Sequence, residues 1–263
     1  MSMKKRDIPA FVSGYRNWRL QMRRCFRDRL LDYFYPARCP VCDKALAVGR
    51  DGICETCTAH IEYIREPKCC RCGKPLTEED EFCNDCKRRK YSFRQGNALL
   101  LYDGMMQESV ARFKYGGRRE YGRVYAQELY RHYGRWVRQI GAGMLIPVPV
   151  HRSRLQTRGY NQAEIIAKHL ADYCGIEMRN DMLIRIKATQ PQKELSAAER
   201  LKNLDGAFRP GRGTEVLNRL PECVIIIDDI YTTGSTLEAC SKVLREIGID
   251  QIYFLCVCIG KGS

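Results

Sequence analysis

The chain has 263 residues, 44% of them hydrophobic and 29% charged, a composition typical of a folded protein and unlike that of a disordered one. Its apolar runs are shorter than the roughly 18 to 20 residues that cross a bilayer, and its first residues lack the continuous apolar stretch of a signal peptide, so we expect a cytoplasmic protein. The formal net charge of +14 favours polyanionic partners such as nucleic acid, nucleotides or an acidic membrane surface.

Residues 1–36 show the pattern of a basic amphipathic helix. Apolar side chains recur every three or four residues, which is helical periodicity, at Phe11, Tyr15, Trp18, Met22, Phe26, Leu30 and Tyr33. Arginines lie between them, and the helix should end before Pro36 because the residue before a proline disfavours helical backbone. The aromatic stripe predicts docking on the body of the protein. The alternative is a surface helix that contacts anionic membrane or nucleic acid.

Residues 37–90 carry a dense cysteine pattern. Four Cys-x-x-Cys pairs follow one another: Cys39 and Cys42, Cys54 and Cys57, Cys69 and Cys72, and Cys83 and Cys86. In a reducing compartment this spacing favours zinc over disulfides. Zinc takes four thiolates tetrahedrally, and a four-cysteine site leaves no position for a substrate, so we predict a double zinc ribbon with two structural Zn²⁺ ions.

The pairing of the four motifs is open at this stage. Two consecutive ribbons are the simplest arrangement, and the two units look like an internal repeat. However, the eleven-residue gap between Cys42 and Cys54 also separates Cys57 from Cys69, which allows a crossed arrangement. Cys70 is predicted to be a bystander, because its neighbour Cys69 keeps the two-residue spacing.

From residue 91 onward, strand and helix patterns alternate. Helices are predicted for 105–114, 121–140, 161–173 and 235–247, and strands at "NALLLYDG", "MLIPVPV", "VIIIDD" and "QIYFLCVCI". Such alternation predicts an α/β fold for residues 91–263, with a parallel sheet flanked by helices on both faces. Ligands of such folds bind at the carboxyl ends of the strands.

The stretch "VIIIDDIYTTGST" lies at such an end. Its apolar run predicts a buried strand from which Asp228 and Asp229 emerge, and Gly234 frees the following turn sterically. Backbone N–H groups and hydroxyls at the start of the next helix can surround a phosphate. Paired acids beside a phosphate cradle suit the vicinal hydroxyls of a phosphorylated sugar and a Mg²⁺ ion. The chain has neither a Walker A loop nor a dinucleotide-binding fingerprint.

This stretch resembles the phosphoribosyl pyrophosphate (PRPP) loop of the type I phosphoribosyltransferases. Residues 30–260 resemble the ComF family of bacterial competence proteins, in which a double zinc ribbon precedes a phosphoribosyltransferase-like domain. The further stretches that carry this resemblance are "FKYGGR", "IPVPVHRSRLQTRGYNQAE" and "RLKNLDGAF". The resemblance implies a type I phosphoribosyltransferase-like sheet with the zinc ribbon at its N-terminal side.

The resemblance also implies roles for individual residues. Asp228 and Asp229 would contact the ribose hydroxyls and a Mg²⁺ ion bound with PRPP. The 5-phosphate would be held by Thr232, Thr233, Gly234, Ser235 and Thr236. Arg152 and Arg158, in the turn after "LIPVP", would be the charge partners of the pyrophosphate and, with the two acids, the catalytic residues.

A mobile lid is implied for "TQPQKELSAAERLKN", with the candidate residues Gln190, Lys193, Ser196, Arg200 and Asn203. Lids of this kind exclude water during reaction. In the purine-salvage transferases an acid stands three residues after the second of the paired acids. This chain has Thr232 there, which disfavours purine salvage and leaves the acceptor unassigned.

Two functions are compatible with these patterns. The first is a magnesium-dependent phosphoribosyltransferase with a structural zinc module. The second, also implied by the resemblance, is a non-catalytic competence factor that binds single-stranded DNA and proteins of the competence machinery during DNA uptake. The fold can serve for binding or regulation without catalysis, and one chain can do both.

Overall fold

The structure is a computed structural model that describes residues 35–77, 80–188, 204 and 206–261. The predicted N-terminal helix, except for its last two residues, and the predicted lid with its five candidate residues lie outside the described residues. None of the described helices combines the length and the apolar character that crossing a membrane requires.

The described chain forms seven strands and eight helices. The strands are β1 (Gln95–Leu101), β2 (Met144–Pro147), β3 (Glu177–Met178), β4 (Leu183–Arg185), β5 (Phe208–Pro210), β6 (Cys223–Tyr231) and β7 (Gln251–Ile259). The helices are α1 (Glu55–Thr58), α2 (Asn84–Arg88), α3 (Gly104–Tyr115), α4 (Tyr121–Gln139), α5 (Arg152–Arg158), α6 (Gln162–Cys174), α7 (Gly213–Val216) and α8 (Ser235–Glu246).

Five strands form one sheet in the order β1-β7-β6-β2-β3, and every pair in it is parallel. This confirms the predicted α/β fold. The central strand β6 is fully buried over residues 224–227, as expected for a continuous apolar run covered on both faces of a sheet. The remaining strands, β4 and β5, pair with each other in antiparallel fashion beside this sheet.

Four predicted helices are confirmed, with ends that shift by one residue. Their starts are set by caps: the Asp103 carboxylate accepts a hydrogen bond from the N–H of Met106, and the Asn161 side chain accepts one from Ala163. The predicted turn after β2 covers only residues 148–151, because Arg152 and Arg158 belong to α5. Its cap is His151, whose ring nitrogen accepts from Ser153.

Helices cover both faces of the sheet. On one face α3, α4 and α6 pack against the odd-numbered residues of the central strands, such as Leu145 and Ile225. On the other face α8 and the β4–β5 pair pack against the alternate residues Ile146 and Ile226. The period of two along each strand therefore divides the core into two layers.

The cysteine-rich segment covers the edge strand β1. Residues 62–64 run antiparallel to it, where Ile64 donates to the carbonyl of Leu99 and Leu101 donates to that of Glu62, both at 2.9 Å. Further along the strand, Gly96 donates to the carbonyl of Arg71 at 2.8 Å. These contacts occupy backbone groups that an uncovered edge would offer to another chain.

Candidate functional site

The eight cysteines form two four-cysteine groups, each with its Sγ atoms within 4.8 Å of one another. The first contains Cys39, Cys42, Cys54 and Cys57, and the second contains Cys69, Cys72, Cys83 and Cys86. The Sγ atoms of Cys42 and Cys54 are 3.9 Å apart, and those of Cys72 and Cys83 are 3.6 Å apart. A tetrahedral zinc with bonds of about 2.3 Å needs about 3.8 Å between sulfurs. The geometry therefore fits one zinc per group and resolves the pairing as consecutive.

The two groups are built by a repeated turn. The N–H of Asp43 donates to the carbonyl of Cys39, and that of Gly73 donates to Cys69, both at 2.9 Å. Both turn residues have positive φ, 59° and 74° respectively, a region that glycine and aspartate tolerate better than most residues. Burial raises the pKa of the Cys39 thiol, and a bound cation would favour the thiolate form that zinc ligation requires.

The aspartate in the first turn also links that zinc group to α4. The Asp43 carboxylate pairs with Arg118 at 3.0 Å and accepts a hydrogen bond from the Tyr121 hydroxyl. Burial alone would raise the pKa of Asp43, but the hydrogen bond from Tyr121 and the charge of Arg118 outweigh it and lower the pKa. Asp43 occupies the position that Gly73 has in the second turn. Its carboxylate thus connects the first zinc group to the start of α4.

A cavity of about 490 Å³ lies beyond the carboxyl ends of β2 and β6. These two strands are neighbours, yet β2 continues through α6 to β3 on one side while β6 continues through α8 to β7 on the other. Such a switch in direction opens a crevice that is the usual ligand site of parallel α/β sheets. Five parts of the chain line it: Tyr102 after β1, the end of β6 with the following loop and the start of α8, the segment from residue 148 to 163, α3, and β4.

The paired acids line this cavity, and one of them is paired with an ammonium group. Asp229 is paired with Lys114 at 2.7 Å, and the two side chains are only 10% and 20% exposed. Burial would lower the pKa of Lys114, but the charge of Asp229 and its hydrogen bond raise it. Burial and then the charge of Asp229 raise the pKa of Asp228 to about 7. An ionised Asp228 adds a second negative charge to the one that Lys114 balances, a condition that favours a bound Mg²⁺.

Three arginines also line this cavity. Arg158 donates to Gln162 Oε1 at 3.1 Å and to the Tyr115 hydroxyl at 2.9 Å, with its guanidinium 4.7 Å from the centre of the Tyr115 ring. Burial, and then the charge of Arg158, lower the pKa of Arg154. Burial, and then the charge of Arg154, lower that of Arg185. Three cations that destabilise one another around one cavity favour a bound polyanion.

The loop between β6 and α8 completes the site. Gly234 has φ of 73°, and a Cβ atom there would lie 2.5 Å from Tyr231 Oη, so glycine is required for both conformation and space. The Thr233 and Ser235 hydroxyls lie 2.9 Å apart. Thr232 and Thr236 line the cavity, at the helix N-terminus where N–H groups lack intrahelical partners.

Relatives of known name match most of the chain. Competence protein F of Haemophilus influenzae is 31% identical over 223 residues, which cover 83% of this chain and 95% of that protein. The chain belongs to the ComF family. ComFC of Bacillus subtilis is 28% identical over 75% of this chain and 80% of its own length. The DNA utilization protein YhgH of Salmonella typhimurium is 27% identical over 85% of this chain and 97% of its own length. Residues 30–87 match the model of the double zinc ribbon domain.

The structure places the predicted site residues of this ComF protein unevenly around the cavity. Both acids, Thr232, Thr236 and Arg158 line it, whereas Arg152 is exposed at the start of α5 and is not among the lining residues. Thr233, Gly234 and Ser235 stand behind the lining. The roles assigned to all of them remain predictions.

Sequence reasoning missed Lys114, Arg154 and Arg185. Lys114 lies in the stretch "FKYGGR", which carries the family resemblance, but no role was predicted for it. Arg154 stands four residues before Arg158, so a helix prediction for "RSRLQTR" would have placed the two on one face. No sequence signal pointed to Arg185, because β4 comes to the cavity through tertiary packing.

Proposed function

We propose that this ComF protein binds PRPP with Mg²⁺ in the cavity between the ends of β2 and β6. One observation carries the proposal: the paired acids, the hydroxyl loop at the start of α8 and a wall of arginines line the same cavity. PRPP requires these three features together, because it combines vicinal hydroxyls, a 5-phosphate and a pyrophosphate. Neither a nucleic-acid backbone nor an isolated phosphate explains the acids.

Each of these three sets of residues then has a partner in the ligand. Asp228 and Asp229 accept hydrogen bonds from the ribose hydroxyls and hold the Mg²⁺ ion. The hydroxyls of Thr232 and Thr236, with the N–H groups at the start of α8, bind the 5-phosphate. The pyrophosphate lies against the arginines of α5, of which Arg158 is already oriented by its hydrogen bonds to Tyr115 and Gln162.

Transfer is the second part of the proposal. A nucleophile forms a bond to the anomeric carbon while the bond from that carbon to the pyrophosphate oxygen breaks, and pyrophosphate leaves with the electron pair. The Mg²⁺ ion would supply positive charge against the leaving group. The protein contributes Arg154, Arg158 and Lys114, cations fixed in place before the charge develops.

Calorimetric titration with PRPP and Mg²⁺ tests the binding step. The wild type should release or absorb heat with a saturable isotherm, and the double variant Asp228→Asn with Asp229→Asn should not. The matched control removes two exposed acids, Asp172→Asn with Asp250→Asn; Asp250 directly precedes β7, at the amino ends of the strands and opposite the cavity. The absence of wild-type binding at millimolar PRPP would exclude the proposal.

A role in DNA uptake is the second candidate, and the two functions are compatible. It is favoured by the relatives named competence protein F, ComFC and DNA utilization protein YhgH and by the net charge of +14. Exposed Arg119 and Arg152, with the 71%-exposed ring of Tyr115, offer cations and a stacking surface near the cavity. Single-stranded nucleic acid is bound by this combination.

Fluorescence anisotropy with a single-stranded oligonucleotide tests this role. Affinity should fall steeply with salt because phosphate contacts release counterions. It should survive the double asparagine variant and drop in Arg119→Ala with Arg152→Ala. Affinity that is unchanged in the arginine variant would exclude this surface as the DNA site.

A further inference from the structure

The segment that leaves the second zinc group, residues 91–93, contacts the proposed phosphate loop and α8 directly. The Tyr91 hydroxyl donates to the carbonyl of Thr233 at 3.3 Å. The N–H of Ser92 donates to Glu238 Oε2 at 2.6 Å and its hydroxyl donates to Oε1 at 2.9 Å. Glu238 is 6% exposed and belongs to the start of α8. The loop and the helix that follows it are therefore both fastened to one short segment.

An aromatic cluster fills the space behind these contacts. Tyr91 stacks on Phe93 at 4.7 Å between ring centres, Phe93 meets Phe254 edge to face at 4.9 Å, and Phe254 stacks on Tyr231 at 5.1 Å. The hydroxyl end of the Tyr231 ring in turn lies next to Gly234. Close-packed interiors transmit displacements because they have few voids, so a shift of this cluster moves the loop.

The second zinc group packs against this aromatic cluster. Lys74, only 3% exposed, pairs with Asp85 at 2.7 Å, and its ammonium lies 6.0 Å from the centre of the Tyr231 ring. Lys74 follows the turn after Cys72, and Asp85 lies between Cys83 and Cys86. All four cysteines of this group belong to the same core cluster as Tyr231 and the apolar residues of α8. The first zinc group packs on the opposite face of the sheet.

We propose that Tyr91 and Ser92 are positioning residues for the phosphate loop, and that the second zinc centre fixes the conformation in which this loop receives its anion. This inference rests on the proposed function, because it takes the loop at residues 232–236 to be the phosphate site. A four-cysteine site has no open coordination position for chemistry. The second zinc would instead act on ligand affinity, through the position of the phosphate loop.

The test uses variants that remove single polar contacts and keep the aromatic packing. Tyr91→Phe deletes the hydroxyl that bonds to Thr233, and Glu238→Gln disturbs both bonds to Ser92. The matched control is Tyr63→Phe, which deletes a hydroxyl that donates to Glu128 at 3.2 Å on the opposite face of the sheet. Each protein is analysed for zinc content, for amide hydrogen exchange without ligand, and for PRPP affinity in the presence of Mg²⁺.

Tyr91→Phe and Glu238→Gln should each speed exchange at residues 232–236 while keeping the wild-type zinc content. Each should weaken PRPP binding about three- to ten-fold, the effect of one lost hydrogen bond, and Tyr63→Phe should change neither property. The inference would be overturned if amide exchange at residues 232–236 were unchanged in both Tyr91→Phe and Glu238→Gln, or if Tyr63→Phe sped it equally. Exchange is measured without ligand, so it decides the inference even where the wild type fails to bind PRPP, a result that excludes the proposed function alone.

Discussion

Replacing Asp228 with asparagine should stabilise the ligand-free protein at pH 8 and at the same time abolish binding of PRPP with Mg²⁺. Burial, and then the charge of Asp229, raise the pKa of Asp228 from 3.8 to about 7. The folded protein therefore holds this proton more tightly than the unfolded chain does. The stability gained from this proton is fully present below about pH 4 and is lost as the pH rises through about 7. Asparagine carries no charge and avoids that loss.

The size of the effect follows from the shift. One pKa unit corresponds to about 1.4 kcal/mol, so the upper bound is about 4 kcal/mol. Asp228 borders a cavity whose water screens its charge, so we expect about 2 kcal/mol of added unfolding free energy at pH 8. The hydrogen bond from the N–H of Asp229 to Asp228 Oδ1, 2.9 Å long, can be accepted equally by the asparagine oxygen.

Asp229→Asn is the contrasting variant, because it breaks the 2.7 Å pair with Lys114. Removing one partner of a buried pair costs about 3–5 kcal/mol, and the nearby Asp228 carboxylate should reduce this to about 1–3 kcal/mol. Urea denaturation at pH 5 and pH 8 measures both variants. The advantage of Asp228→Asn should shrink to about half at pH 5. A destabilised Asp228→Asn at pH 8, or an effect that does not change with pH, would refute the reasoning.

Three further predictions follow from the site and the zinc centres. PRPP affinity in calorimetry should rise from pH 6 to pH 8, by up to about ten-fold, because Asp228, with its pKa of about 7, must lose a proton before it binds a cation. Gly234→Ala should lower the unfolding free energy in urea more than the control Gly49→Ala does. The two glycines have similar φ, 73° and 77°, but only a Cβ at residue 234 would meet a neighbour within 4 Å. Metal analysis should find two zinc ions per chain, retained in Cys70→Ser and reduced to one in Cys72→Ser.

Prediction from sequence worked where the signal is contiguous. The core of β6 is buried on both faces and reads as an uninterrupted apolar run, so its position and the acids after it could be inferred directly. Helices α3 and α6 were also predicted from the sequence, and the structure adds their caps, Asp103 and Asn161. Cysteine spacing identified the eight cysteines that cluster in the structure, but only the sulfur positions decided between consecutive and crossed pairing.

The rest of the site depends on topology, which no local pattern encodes. Lys114 reaches Asp229 because α3 returns over the sheet to the carboxyl end of β6, more than a hundred residues later in the chain. Arg185 arrives on a three-residue strand with no amphipathic signal of its own. The seven-residue helix α5 is too short for a convincing period. Its arginines at positions 154 and 158 were therefore not recognised as neighbours on one face.

The zinc ribbon cannot be regarded as an appendage to the sheet, because contacts cross the predicted boundary at residue 90 on both faces. On one face the carbonyl of Val41, in the turn of the first zinc group, accepts a hydrogen bond from Arg112, two residues before Lys114 in α3. On the other face Tyr91 holds the loop before α8. The two zinc groups, with the segment 91–93 that follows the second, therefore contact two of the helices that line the cavity, α3 on one face of the sheet and α8 on the other.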